Sequence, residues 1–143
     1  MHLNRPISQE ELTTLCKDTL VSNLGIEFTG VTADSITARM PVDQRTIQPF
    51  RILHGGASLA LAETLGSIAS HILIDPDRHY SVGMSINASH IRPVSSGWVY
   101  GTAVPLHLGK KTHIWEIKIR NSQDQLVCIS RLTMAILDKP ANT

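Results

Sequence analysis

The chain has 143 residues and a mass of 15.7 kDa, room for one domain whose core buries about 68–70% of the unfolded surface without a disulfide or metal staple. Thirteen Lys and Arg stand against twelve Asp and Glu, a formal charge of +1, so the charge balance speaks against a general nucleic-acid binder. Hydrophobic residues at 42% and charged residues at 17% exclude a disordered chain and a coiled coil.

No apolar stretch stands behind Met1–Pro6, so no signal peptide is expected there. Ser8, followed by Gln9, Glu10 and Glu11, makes a helix start with serine as cap and Glu11 at the capping-box position, opening a short helix over about residues 8–20. The core follows over about residues 24–138. A strand around Ile26–Val31 turns at Thr32–Ser35 into a second one. There Ile36, Ala38, Met40 and Val42 alternate with Thr37, Arg39 and Pro41, the pattern of a half-buried strand. Pro41 and Pro49 bracket a loop over Asp43–Phe50.

Gly56–Ile74 reads as one long helix. Ala57, Ala60, Leu61, Leu65, Ile68, Ala69 and Ile72 form its apolar stripe, and Ser58, Ala62, Gly66, Ser67 and Ser70 keep the other side small, as in a central helix covered on every side. The apolar run Ile52–Ile74 approaches bilayer length, but Glu63 near its middle and the flanking His54 and His71 argue for a buried helix and no membrane partner. Asp75-Pro76-Asp77 ends the helix. Strands then follow at Tyr80–Val94, Trp98–Leu108, Thr112–Arg120 and Leu126–Leu137, and their short connections predict an antiparallel meander. The fold class is α+β, a single domain over residues 1–143 with an antiparallel sheet around one long helix. Cys16 and Cys128 are far apart with no C-x-x-C motif, which suits reduced thiols in a cytoplasmic protein.

Several common chemistries lack their residues. No His or Cys pair has zinc-ligand spacing, so no metal is expected. Gly56-Ala57-Ser58-Leu59-Ala60 misses the last glycine of a nucleophile elbow, and Leu108-Gly109-Lys110-Lys111-Thr112 lacks the upstream glycine of a phosphate loop. What remains is Gln48-Pro49-Phe50-Arg51-Ile52-Leu53-His54-Gly55-Gly56-Ala57, which runs into the helix. Paired glycines there permit a tight turn, and they also leave backbone N–H groups uncovered at the positive helix end, where an oxyanion can bind. Glu63 is the one formally charged residue between Arg51 and Asp75. A carboxylate on such a helix must be paired, reach solvent at a subunit edge, or work in a cleft. Ser67 lies one turn further on the same face. Gly55 and Glu63 are eight residues apart, about 12 Å along a helix, too far for one copy to supply an oxyanion donor and a base to the same reacting group. Two antiparallel copies can, so a dimer with two interfacial sites is expected.

Over nearly the whole span Leu24–Leu137 the chain resembles the hotdog-fold acyl-CoA thioesterases. The matching motifs are Gln48 to Ser67, Met40-Pro41-Val42-Asp43, Ile86-Asn87-Ala88-Ser89-His90 and Pro105-Leu106-His107-Leu108-Gly109. Within the family it looks most like the phenylacetate-pathway and aryl-CoA branch, with the enzymes of menaquinone synthesis (on 1,4-dihydroxy-2-naphthoyl-CoA) and of enterobactin-pathway proofreading. The resemblance implies hydrolysis of an aromatic or other acyl-CoA without a cofactor, in a homo-oligomer that is a dimer or a dimer of dimers. It implies that the Gly55 amide polarises the thioester carbonyl with help from Gln48 and His54. Glu63 of the facing subunit would act as nucleophile or general base, with Ser67 orienting the attack. Contacts to the CoA arm would come from Gly83, from His90, Ile91, Arg92 and Pro93, and from His107, Leu108, Gly109, Lys110, Lys111 and Thr112. Lys110 and Lys111 suit either nucleotide phosphates or a solvated turn. One departure stands out: the family pattern carries glycine where this chain has Arg51. A hotdog dehydratase or hydratase, with a different loop before the helix, and a non-catalytic acyl-CoA-binding module are the rival readings.

Overall fold

The structure is a computed structural model that describes residues 7–140; the expectation for Met1–Pro6 lies outside them. The chain starts with α1 (Gln9–Leu15) and α2 (Leu20–Asn23). The Ser8 hydroxyl accepts the Glu11 N–H while the Glu11 carboxylate accepts the Ser8 N–H, the reciprocal cap that the sequence announces. The single helix expected over 8–20 is broken in two. Asp18 takes a left-handed φ of 57°, which no α-helix interior accommodates, and Thr19 caps the second piece by accepting the Val21 N–H.

A six-stranded sheet follows, made of β1 (Glu27–Val31), β2 (Ile36–Pro41), β3 (His79–His90), β4 (Trp98–Leu108), β5 (Thr112–Asn121) and β6 (Leu126–Asp138). Its order is β1-β2-β4-β5-β6-β3, antiparallel throughout. The meander is therefore corrected at one strand. β4, β5 and β6 are consecutive hairpins, but β3 pairs with β6 and not with β4. The Ser95–Gly97 segment does not close a hairpin. It ends a connection that crosses the sheet end, tied by Leu53 N–H to Val94 C=O at 2.7 Å and Val42 N–H to Gly97 C=O at 2.8 Å.

α3 (Gly55–Leu73) lies across one face of the sheet and packs on every strand except β1. Alternation decides that face: Ile36, Ala38 and Met40, then Val99 and Ala103, then Trp115, Ile117 and Ile119, then Leu132 and Met134 are all buried against the helix side. Close approach depends on missing side chains. A Cβ at Gly66 would sit 2.5 Å from Leu132 Cδ2, and one at Gly101 would sit 2.6 Å from Leu65 Cδ1. The small residues Ser58, Ala62, Gly66 and Ser70 are buried in this way inside the chain, so they serve the sheet rather than a facing copy. Nor is α3 covered on every side. Leu59, Ala60, Glu63, Thr64, Ser67 and Ile68 form a half-exposed stripe along it. Cys16 and Cys128 are buried, unpaired thiols, and burial pushes the pKa of each up.

Candidate active site

The approach to α3 is built by its own hydrogen bonds. The buried Thr46 hydroxyl donates to the Pro41 carbonyl at 2.7 Å, and the Thr46 carbonyl accepts the His54 N–H at 2.8 Å. Between them a tight turn closes with Arg51 N–H to Gln48 C=O at 2.8 Å and Gln48 N–H to Ile52 C=O at 2.9 Å. Arg51 pays for this turn with a φ of 66°, a conformation L-residues avoid and glycine adopts freely. The Gln48 side-chain oxygen accepts the Phe50 N–H inside the turn, which leaves its amide nitrogen available to another acceptor.

A helix start leaves its first N–H groups without intrahelical partners, and here they can be accounted for one by one. His54 is the N-cap, and its Nδ1 accepts the Gly56 N–H at 2.8 Å. The His54 carbonyl accepts the N–H groups of Ala57 and Ser58 at 3.0 and 3.2 Å. The Gly55 N–H alone has no acceptor among the described residues. Gly55 lines a pocket of about 460 Å³ together with Gln48, Ile52, Ser58, His90, Ile91, Arg92 and Pro93. The His90 ring stands over it, close enough that a Cβ on Gly55 would lie 2.8 Å from His90 Nε2. His54 thus fixes the helix start, and His90 takes the place beside the free amide.

Glu63 sits in the middle of α3 and turns to the sheet edge. Its Oε1 lies 2.5 Å from where a Cβ of Gly83 would be, so a side chain at that position of β3 would displace the carboxylate from this place. Ser67 Oγ donates to Met134 Sδ at 3.7 Å, and Met134 is the β6 partner of Gly83. Glu63, Ser67, Gly83 and Met134 therefore form one group, of which the sequence pattern missed Met134. Its membership follows from the β3–β6 pairing, a long-range register with no local signal.

The third set, His107 to Thr112, is the end of β4 and the turn into β5, closed by Gly109 N–H to Thr112 C=O at 2.9 Å. One chain does not unite the three sets. Gly83 and His90 are seven residues apart on β3, on the order of 20 Å, and they hold the Glu63 group and the Gly55 group respectively. Among the described residues, no cluster of His, Cys, Asp or Glu could hold a metal ion, and no helix is long and apolar enough to cross a membrane.

The antiparallel sheet packed on one long helix is the hotdog architecture, and the helix carries a start amide without an acceptor among the described residues and a carboxylate further along. The Thioesterase superfamily profile matches residues 50–128, and the chain belongs to that superfamily. It is similar to the proofreading thioesterase EntH of Cronobacter turicensis, 50% identical over 133 residues covering 93% of this chain and 96% of the relative. Among solved structures, a mutant thioesterase from Pseudomonas aeruginosa is 42% identical with a TM-score of 0.94, covering 96% of this chain and 99% of that one. A thioesterase from Haemophilus influenzae is 45% identical with a TM-score of 0.93 and 96% coverage of both. The protein is a thioesterase.

Proposed function

We infer that the protein hydrolyses acyl-CoA thioesters, with aromatic acyl groups of the benzoyl or 1,4-dihydroxy-2-naphthoyl type as the preferred class, and that each active site is completed by a second copy of the chain. The observation that carries this reading is the pairing of unmet needs along β3. One side of β3 is bonded to β6, while the other is an open edge of twelve residues without proline or lysine, where Val82 and Met84 are exposed. Such an edge calls for a partner. Gly83 holds Glu63 near one end of the strand and His90 stands over Gly55 at the other. Antiparallel pairing of two β3 strands about a two-fold axis near Ile86 and Asn87 sets the Gly83 end of one chain beside the His90 end of its partner. Glu63 then approaches Gly55 of the partner subunit, and the half-exposed stripe of α3 faces its own copy.

In that arrangement the Gly55 N–H and the Gln48 amide donate to the thioester oxygen as it gains charge. His54 holds the helix start in place. Glu63 either attacks the carbonyl carbon, forming an anhydride that water then opens, or takes a proton from a water that attacks directly and passes it to the departing thiolate, and Ser67 orients the attack. The carbon–sulfur bond breaks, and the products are the acid and CoA thiol. No metal or redox cofactor enters this scheme.

The experiment has two arms. Free-thiol release is measured across benzoyl, dihydroxynaphthoyl and fatty acyl-CoA; aromatic substrates are expected to rank first, and a flat or aliphatic ranking overturns that part. The second arm co-expresses Glu63→Gln and Gly55→Val chains, each inactive alone. In a random mixture half of the dimers are heterodimers, each with one site free of both defects, so about a quarter of wild-type sites should return. No recovery in verified heterodimers means that each site is built within one chain.

A further inference from the structure

Three neighbouring strands place one residue each in a row under α3: His113 on β5 pairs with Met134 on β6, and Met134 pairs with Gly83 on β3. The helix lays one polar side chain over each member of the row, Ser70 on His113, Ser67 on Met134 and Glu63 at Gly83. The first of these contacts is closed, because Ser70 also accepts the Trp115 indole N–H. The other two are open. Among the described residues Glu63 has no hydrogen bond or ion pair, and the Ser67 hydroxyl has one partner, Met134 Sδ at 3.7 Å.

That choice of partner is unexpected. Ser67 lies one turn beyond Glu63 on the same face, and both are half-buried. The Glu63 carboxylate is therefore a neighbour, and so is the Glu63 carbonyl, the acceptor that a serine inside a helix commonly takes. The hydroxyl donates to neither and goes to a thioether, a weak acceptor. Packing puts the sulfur there: Met134 is buried, and its unbranched side chain fills the space beside the glycine. Around the point where a Cβ of Gly83 would be, Glu63 Oε1 lies at 2.5 Å and Met134 Sδ at 4.0 Å. Carboxylate and sulfur thus share the gap that Gly83 leaves, and the hydroxyl is turned to the sulfur.

We propose that Met134 is a positioning residue for catalysis: its thioether holds the Ser67 hydroxyl off the Glu63 carboxylate. Glu63 then enters the reaction with no hydrogen bond to give up, where a charge-assisted one would make it a poorer nucleophile and base. The weak bond to sulfur also leaves the Ser67 proton easy to redirect when the attacking water or the substrate oxygen arrives. No neighbour supplies the missing hydrogen bond to Glu63. β3 offers Gly83 and β6 offers Met134, while His113 on β5 is tied to Ser70 and to the Gly109 backbone. On α3 itself the next titratable residue is His71, about two turns on. The inference rests on the acyl-CoA hydrolase reading above, with Glu63 as its working carboxylate, and adds a residue that no sequence motif names.

Met134→Leu removes the acceptor and nearly conserves the volume, a change that cores tolerate; Met134→Ile is a second apolar replacement read in the same way. With the best substrate of the acyl-CoA panel, pH profiles of kcat and KM are measured for wild type, Met134→Leu, Ser67→Ala and the double variant. Met134→Leu should lower kcat by about tenfold, the scale of a hydrogen bond to a charged group, and leave KM unchanged. It should also move the acid limb of the kcat profile to lower pH by about one unit, because the freed hydroxyl now stabilises the ionised carboxylate. Ser67→Ala has no hydroxyl to redirect, so adding Met134→Leu to it should change neither kcat nor the acid limb. An unmoved acid limb in Met134→Leu overturns the proposal. An equal loss of kcat in both backgrounds does so too, since it marks a packing effect. If Glu63→Gln loses turnover while Met134→Leu behaves as wild type, the hydrolase reading stands and Met134 alone falls. If wild type cleaves no acyl-CoA, both fall together.

Discussion

α3 carries two polar regions that obey opposite rules. In its last turns Ser70 is fully buried, and its hydroxyl accepts the Trp115 indole N–H at 2.8 Å while lying 3.1 Å from His113 Nδ1. His113 and Trp115 meet edge to face with ring centroids 6.5 Å apart. In the first turn and the middle the reverse holds: the Gly55 N–H has no acceptor among the described residues, and Glu63 has a glycine in front of it where a counter-charge would otherwise be expected. Buried polar groups that satisfy one another specify packing. Polar groups left open beside a cleft are available to a ligand. One helix holds both, with Ser70 about four turns beyond Gly55 and about two beyond Glu63.

The largest effect that tests this contrast is on turnover. Glu63→Gln keeps the shape and removes the charge, so kcat should fall by at least about 10², the usual contribution of an acid–base group, while the thermal midpoint stays near wild type because the amide is nearly isosteric with the carboxylate. Near-normal turnover at saturating substrate would make Glu63 one more structural residue and erase the distinction.

The buried end should respond in stability and not in chemistry. Ser70→Ala strands the indole N–H of Trp115 and the acceptor nitrogen of His113, a loss of about 1–3 kcal/mol, read by denaturant titration with kcat held as the control. Titration adds a direction. Burial lowers the His113 pKa, and the positive field of His107 lowers it further, against a hydrogen bond that the ring donates to the Gly109 backbone, which raises it. A histidine depressed in the folded state contributes stability that is complete above its unfolded pKa, about 6.5, and is lost as pH falls through the lower folded value. Unfolding free energy of the wild type should therefore drop with acid below that point, and His113→Gln should flatten this part of the curve. An unchanged slope would remove His113 from the network.

How far the sequence displays these features depends on how local their causes are. The Ser8 cap, the long helix and the alternation of Ile36, Ala38 and Met40 are local, and each is found where the pattern puts it, the helix one residue earlier at both ends than the expected Gly56–Ile74. The same alternation run through His113, Trp115, Ile117 and Ile119 marks His113 as inward-facing. The place of β3 at the sheet edge is not local: it depends on β6, more than forty residues later, and on a connection over Ile91–Gly97 that resembles a hairpin turn in composition. His54, Gly55, Glu63 and Ser67 are recognisable by type and spacing and Gln48 by the family resemblance, but the pairings of Gly83 with Glu63 and Met134 with Ser67 exist only once that edge is formed.

The smallest effect belongs to the turn that delivers the chain to Gly55. Arg51 holds a φ of 66°, and the glycine expected there in this family removes the Cβ clash that such a conformation imposes. Against that gain stands the larger unfolded-state freedom of glycine, so Arg51→Gly should stabilise by at most about 1 kcal/mol, a rise of about 2–4 °C in Tm. The turn is fixed by main-chain bonds from Gln48 to Ile52 and from Arg51 to Gln48, and these survive the change. If Arg51 persists against its own backbone preference because its side chain acts at the pocket mouth, relieving the strain should also reorder the acyl groups the enzyme prefers. A Tm gain with an unchanged ranking across the acyl-CoA panel would show the strain to be incidental, and a loss of stability would show that the arginine side chain holds the turn through contacts of its own.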